Sequence, residues 1–103
     1  MAFVREVCAL PPTARWRQGQ HVLTMPPAPG TPVATFDAGR YASRTDARSH
    51  VAVFIEPVEG GLKVWDQWRG RPVGQRVIRH RGGLGMPVDD GSQYYVVEIV
   101  LVQ

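Results

Sequence analysis

Residues 50 to 68 read His-Val-Ala-Val-Phe-Ile-Glu, Pro-Val-Glu-Gly-Gly, Leu-Lys-Val-Trp-Asp-Gln-Trp, and they leave the chain few ways to fold. Two runs rich in β-branched and aromatic side chains flank a turn supplied with Pro57, Gly60 and Gly61. That is the pattern of an antiparallel hairpin. A hairpin sets the start of one strand beside the end of the other, so His50 and Asp66 come within cross-strand reach. An imidazole and a carboxylate held in that way form the base and the orienting group of a hydrolytic site. The nucleophile is the member still to be found.

At 103 residues the chain is one small domain, residues 1–103, with room for a single core. Its 44% hydrophobic and 20% charged residues are ordinary for a globular protein. The net charge of +3 is carried almost wholly by arginine, eleven residues against the one lysine, Lys63. A basic surface suits nucleic acid, anionic lipid or an anionic polymer such as cell-wall glycan. The arginines are scattered and no nucleic-acid module signature is present, so nucleic acid is not an expected partner.

A single cysteine, Cys8, excludes an internal disulfide and a cysteine-built zinc cage. Arg5 and Glu6 interrupt the N-terminal apolar residues, so no signal peptide is recognised. No stretch approaches the roughly 20 apolar residues that span a bilayer. The expectation is a chain made in the cytoplasm, without membrane insertion, that reaches other compartments only by a route independent of a signal peptide.

Phe3, Val4, Val7, Cys8 and Leu10 follow helical spacing with Arg5 and Glu6 on the other face, which predicts a helix over residues 1 to 9 ended by Pro11-Pro12. This helix begins without a capping residue, as though its first turn had been removed. Residues 13 to 31 read as a loop-rich connector. Pro32 to Phe36 reads as a strand, and Asp37 to Ser49 as a polar loop long enough to be functional. After the hairpin come a short strand at Gln75 to Arg79, a glycine-rich loop from Arg81 to Ser92, and a long two-sided apolar strand from Tyr94 to Val102 that belongs inside a sheet. The expected fold class is α+β: an N-terminal helix packed on an antiparallel sheet of about five strands.

His50 sits where a polar loop meets five apolar residues, a common place for a catalytic base, although a polar residue at a sheet rim would look the same. Asp66 lies between Trp65 and Trp68, where partial loss of hydration would demand a partner. His50 is the obvious one and Gln67 an alternative; a solvated carboxylate at a strand end fits equally. His21 and His80 read as surface residues. No spacing supports a metal site built from His50, His80 and an acid. Arg81-Gly-Gly-Leu-Gly85 lacks the Lys-Ser/Thr of a phosphate loop and reads as a flexible connection, so no cofactor is expected. Tyr41 could line a cleft, and Trp16, Trp65 and Trp68 read as core, with a substrate shelf as the alternative.

Four segments carry a resemblance: Ala2-Phe-Val with Pro12-Thr, Trp16-Arg and Gly19; Pro32-Val-Ala-Thr-Phe-Asp with Gly39-Arg-Tyr41; Ser49-His-Val-Ala-Val-Phe-Ile; and Val64-Trp-Asp-Gln-Trp68. Together they resemble small bacterial cysteine amidases of the NlpC/P60 and CHAP type, with a papain-like fold, and in particular the second family of type VI secretion amidase effectors. The likeness runs from Ala2 to about Ile99. It implies cleavage of a peptide amide bond in peptidoglycan, with peptidoglycan peptides and an immunity protein as partners and delivery into a target periplasm. It also implies that His50 is the base and Asp66 its orienter.

In that family the nucleophilic cysteine opens the first helix, directly before a segment like Met1-Ala2-Phe3-Val4, which places it one residue ahead of Met1. The domain would then be shortened at its N-terminus. Cys8 is the other candidate nucleophile. It lies near the C-terminal end of the expected helix, where the macrodipole opposes a thiolate, and about 12 Å from the helix start. Two hypotheses compete. One is a cysteine amidase domain with its nucleophile outside this sequence; the alternative is an inactive relative acting as a cell-wall- or protein-binding module.

Overall fold

The computed structural model describes residues 16–36, 41, 50–67 and 72–99. Six antiparallel strands form one sheet: β1 (Trp16–His21), β2 (Pro32–Thr35), β3 (Val51–Val58), β4 (Gly61–Asp66), β5 (Gly74–Arg79) and β6 (Tyr94–Ile99). Their order across the sheet is β1-β6-β2-β3-β4-β5. The helical elements among the described residues are two three-residue 3-10 turns, η1 (Pro87–Asp89) and η2 (Gly91–Gln93).

This corrects the expected α+β, papain-like arrangement of an N-terminal helix on about five strands: the described chain is a six-stranded antiparallel sheet. The helix expected over residues 1 to 9 lies outside the described residues. The extra strand is β1, drawn from the segment read as a connector. Trp-Arg-Gln-Gly-Gln-His has no apolar alternation, yet Trp16 is fully buried and pairs opposite Ile99. One large indole, together with cross-strand hydrogen bonds, is enough to dock an otherwise polar edge strand.

The predicted hairpin is β3 and β4, joined by the two-residue turn Glu59-Gly60 with Gly60 at φ +72°. A bulge between Phe54 and Glu56 shifts the register by one residue. Pro57 falls beyond the stretch of β3 that pairs with β2, so its missing N–H costs no ladder bond on that side. β6 lies inside the sheet between β1 and β2, as its two-sided apolar pattern requires.

Side chains alternate between the two faces. One face buries Val33, Ala52, Phe54, Leu62, Val64 and Ile78. The opposite face buries Trp16, Ala34, Val51, Val53 and Val97 with Tyr41. Among the described residues no helix is long and apolar enough to cross a membrane.

Candidate functional site

At the open end of the β3–β4 hairpin, His50 precedes the first residue of β3 and Asp66 is the last residue of β4. Val53 pairs with Trp65 and Phe54 with Val64. Continued by one residue, that register sets Ala52 opposite Asp66 and makes His50 its diagonal neighbour on the same face. The small Ala52 leaves the imidazole room to reach across, and Nε2 of His50 lies 3.0 Å from Oδ2 of Asp66. Both residues are 4% exposed. The imidazole and carboxylate that the sequence pattern brought within reach are thus joined directly.

The backbone of His50 is pinned from its other side by β2. Its N–H donates to the Thr35 hydroxyl oxygen and its C=O accepts from the Thr35 N–H, each at 3.0 Å. Thr35 is itself buried beside Tyr94 of β6, whose hydroxyl donates to the Val88 carbonyl at 2.8 Å. β2 therefore fixes the backbone of His50, while Asp66 on β4 holds its ring.

Asp66 has a second partner. Nε of Arg76, on β5, donates to the same Oδ2 at 2.8 Å, and an outer nitrogen of its guanidinium stands 3.9 Å from Asp89 on η1. Burial by itself would raise the Asp66 pKa. The hydrogen bonds from His50 and Arg76, together with their charges, outweigh it and hold the carboxyl below the usual carboxylate range. An ionised carboxylate only accepts, so the proton of the His50–Asp66 bond belongs to Nε2. The basic lone pair of the neutral ring then lies on Nδ1.

Nothing in the sequence pattern marks Arg76. It sits in Gly-Gln-Arg-Val-Ile-Arg, an alternating edge strand in which an arginine is unremarkable. Only the β4–β5 register, with Val64 opposite Arg76 and Asp66 opposite Gly74, makes it a diagonal neighbour of the carboxylate.

The other candidates fall elsewhere. Trp65 points to the opposite face from Asp66 and is 40% exposed, so the carboxylate loses its hydration to the sheet face and not to that indole. Gln67 is exposed, and Trp68 lies outside the described residues. Tyr41 is packed into the far-face core with ring centroids 5.0 Å from Trp16 and 6.3 Å from Phe36, where burial raises its pKa.

His21 is tied into the β1–β6 end: Nε2 donates to the Ser92 carbonyl at 2.6 Å and Nδ1 lies 3.0 Å from the Thr24 hydroxyl. The His80 ring stands against Gly91, where an added Cβ would come within 2.7 Å of Nδ1. Neither joins His50. Among the described residues no three His, Cys, Asp or Glu side chains converge as a metal site would require. Cys8 lies outside the described residues.

The glycine-rich connection is ordered around Asp90, which is 1% exposed. Its carboxylate accepts from the N–H groups of Arg81, Gly83 and Ser92 and from the Ser92 hydroxyl, at 2.6 to 3.0 Å. Burial would raise its pKa, and these four bonds lower it instead.

The chain has known relatives in which this geometry can be placed. The family model described as domesticated amidase effector 2 matches residues 1–97. The chain belongs to the domesticated amidase effector 2 family. A relative of that name from Ixodes scapularis is 33% identical over 108 residues, covering 96% of this chain and 70% of the relative. A solved structure of type 6 secretion amidase effector 2 superposes with a TM-score of 0.81 at 26% identity, over 96% of this chain and 79% of that one. Membership in the domesticated amidase effector 2 family agrees with the kinship to type VI amidase effectors that the sequence segments imply.

Proposed function

We propose that this domain is the His–Asp-bearing body of a cysteine amidase that cleaves a peptide amide bond in peptidoglycan, by kinship an NlpC/P60- or CHAP-type chemistry. The observation that carries the reading is the buried His50–Asp66 hydrogen bond at the mouth of a hairpin, in a chain of an amidase effector family. Delivery to a target cell by a route independent of a signal peptide, and neutralisation by an immunity protein, belong to the same reading.

His50 is the general base and Asp66 the group that orients it. Nδ1 of His50 takes the thiol proton of the nucleophilic cysteine. The thiolate forms a C–S bond to the amide carbon as the carbonyl π pair moves onto oxygen. The tetrahedral adduct collapses, and the amine leaves with the proton that His50 returns. A water molecule, deprotonated by His50, then hydrolyses the thioester, releasing the new carboxylate and restoring the thiol. Throughout, Asp66 holds the ring in one tautomer and stabilises its positive charge.

The resemblance puts the nucleophile directly before Met1, and Cys8 is the other candidate. The test compares the 103-residue chain with a form carrying cysteine immediately ahead of Met1, both incubated with muropeptides and analysed for new amines. The extended form should release product, should keep doing so as the C8S variant, and should lose about 1000-fold or more in kcat/KM as H50A. Muropeptide binding without turnover by a natively folded extended form would overturn the amidase reading in favour of a binding module. Turnover abolished by C8S would move the nucleophile to Cys8.

A further inference from the structure

The open end of the hairpin holds more than a pair. Asp66 stands opposite Gly74 on one neighbouring strand and, when the β3–β4 register is continued one residue past Val53 and Trp65, opposite Ala52 on the other. Both are small, so the longer side chains one diagonal step away converge on the carboxylate: His50 from β3 and Arg76 from β5. They do not divide its two oxygens. Both donate to Oδ2, at 3.0 and 2.8 Å.

We propose that Arg76 is a positioning residue of this site: by donating its Nε–H to the oxygen that His50 uses, it holds the Asp66 carboxylate in the rotamer that meets the imidazole. The proposal rests on the reading of His50 as the base and adds what sets that base.

Two physical effects follow from a shared acceptor. A guanidinium at hydrogen-bond distance keeps a 4%-exposed carboxylate ionised, so the Nε2–H tautomer of His50 is enforced. The same positive charge withdraws electron density from Oδ2 and repels a second cation across it. Removing that charge in a variant should therefore favour the imidazolium across the shared oxygen.

Arginine fits this place better than lysine. Its planar fork can direct Nε at Asp66 while an outer nitrogen faces Asp89, and Asp89, with its side chain 51% exposed, steadies the far end. Among the described residues, the charged groups of this cluster are Asp66 on β4, which meets His50, Arg76 on β5, which meets Asp66, and Asp89 on η1, which stands near Arg76. Tyr94 on β6 is held neutral by burial.

The inference is tested by following the His50 ring through a pH titration by NMR in the full 103-residue chain, where no turnover is needed. In R76Q the His50 midpoint should rise by about 0.5 to 1 pH unit, and in D66N it should fall by a comparable amount. R76K, which keeps the charge and loses the planar Nε–H, should raise the midpoint by less than half as much as R76Q. It decides the matter alone if R76Q does not fold.

In the cysteine-bearing form, the acidic limb of the kcat/KM profile should move with the ring in R76Q. An unchanged or lowered midpoint in both Arg76 variants, with D66N still lowering it, would overturn the role of Arg76 and leave the His50–Asp66 pair standing. An unchanged midpoint in D66N would instead remove the pair itself, and this inference with it.

Discussion

Two buried aspartates, Asp66 and Asp90, are both held below the usual carboxylate range, and they are held by opposite means. Asp90 accepts from three backbone N–H groups and a serine hydroxyl, donors that do not change charge near neutral pH. Asp66 accepts from an imidazole and a guanidinium, donors that are themselves ionisable side chains. Asp90 is a staple for the glycine-rich connection between β5 and β6. In the function proposed, Asp66 is one member of a proton-handling set. Burial and a low pKa do not by themselves mark a functional carboxylate; the chemistry of its donors does.

The largest effect that separates the two is on folding. D90A would leave the N–H groups of Arg81, Gly83 and Ser92 without their acceptor. At about 1 kcal/mol or more for each buried donor, it should destabilise the chain by roughly 3 kcal/mol in urea unfolding. The His50 titration midpoint should stay where it is. A D90A chain of unchanged stability would mean that the loop finds other acceptors and that Asp90 is no staple.

Acid sharpens the comparison next. Each carboxyl has a folded pKa below its unfolded value. Each therefore contributes stability that is present above about pH 3.9 and lost as pH falls through the folded pKa. Unfolding free energy should decline below about pH 4, and D66N or D90N should each flatten that decline. A decline equally steep in both variants would place the acid sensitivity elsewhere.

A smaller effect is expected at Tyr94, whose hydroxyl donates to Val88. Y94F should cost about 1 kcal/mol in the same urea assay, and the His50 tautomer should be unchanged, because that hydroxyl anchors η1 and not the ring. A change of tautomer in Y94F would draw Tyr94 into the site.

What could be read from the chain, and what could not, follows the range of the interactions. His50 and Asp66 were legible because a two-residue turn between β-branched runs determines both the pairing and which ends meet. β1 was hidden because its one buried residue is Trp16, and a single indole in a polar hexapeptide carries no period. Arg76 was hidden because its link to Asp66 depends on the register of β5, set by a connection rather than by a local motif. Asp90 was hidden in Asp89-Asp90-Gly91, which reads as an ordinary turn; the donors it gathers run from residue 81 to residue 92 and meet only once the loop closes.

The central claim is that His50 is a base whose ring is set by Asp66. The most direct measurement is the tautomer of the His50 ring, read from its two nitrogen resonances on the alkaline side of its titration. Nε2–H, with loss of that preference in D66N, is the predicted result. A native ring carrying its proton on Nδ1 would contradict the account, because Asp66 would then face a lone pair and Nδ1 could not receive the proton of a nucleophile.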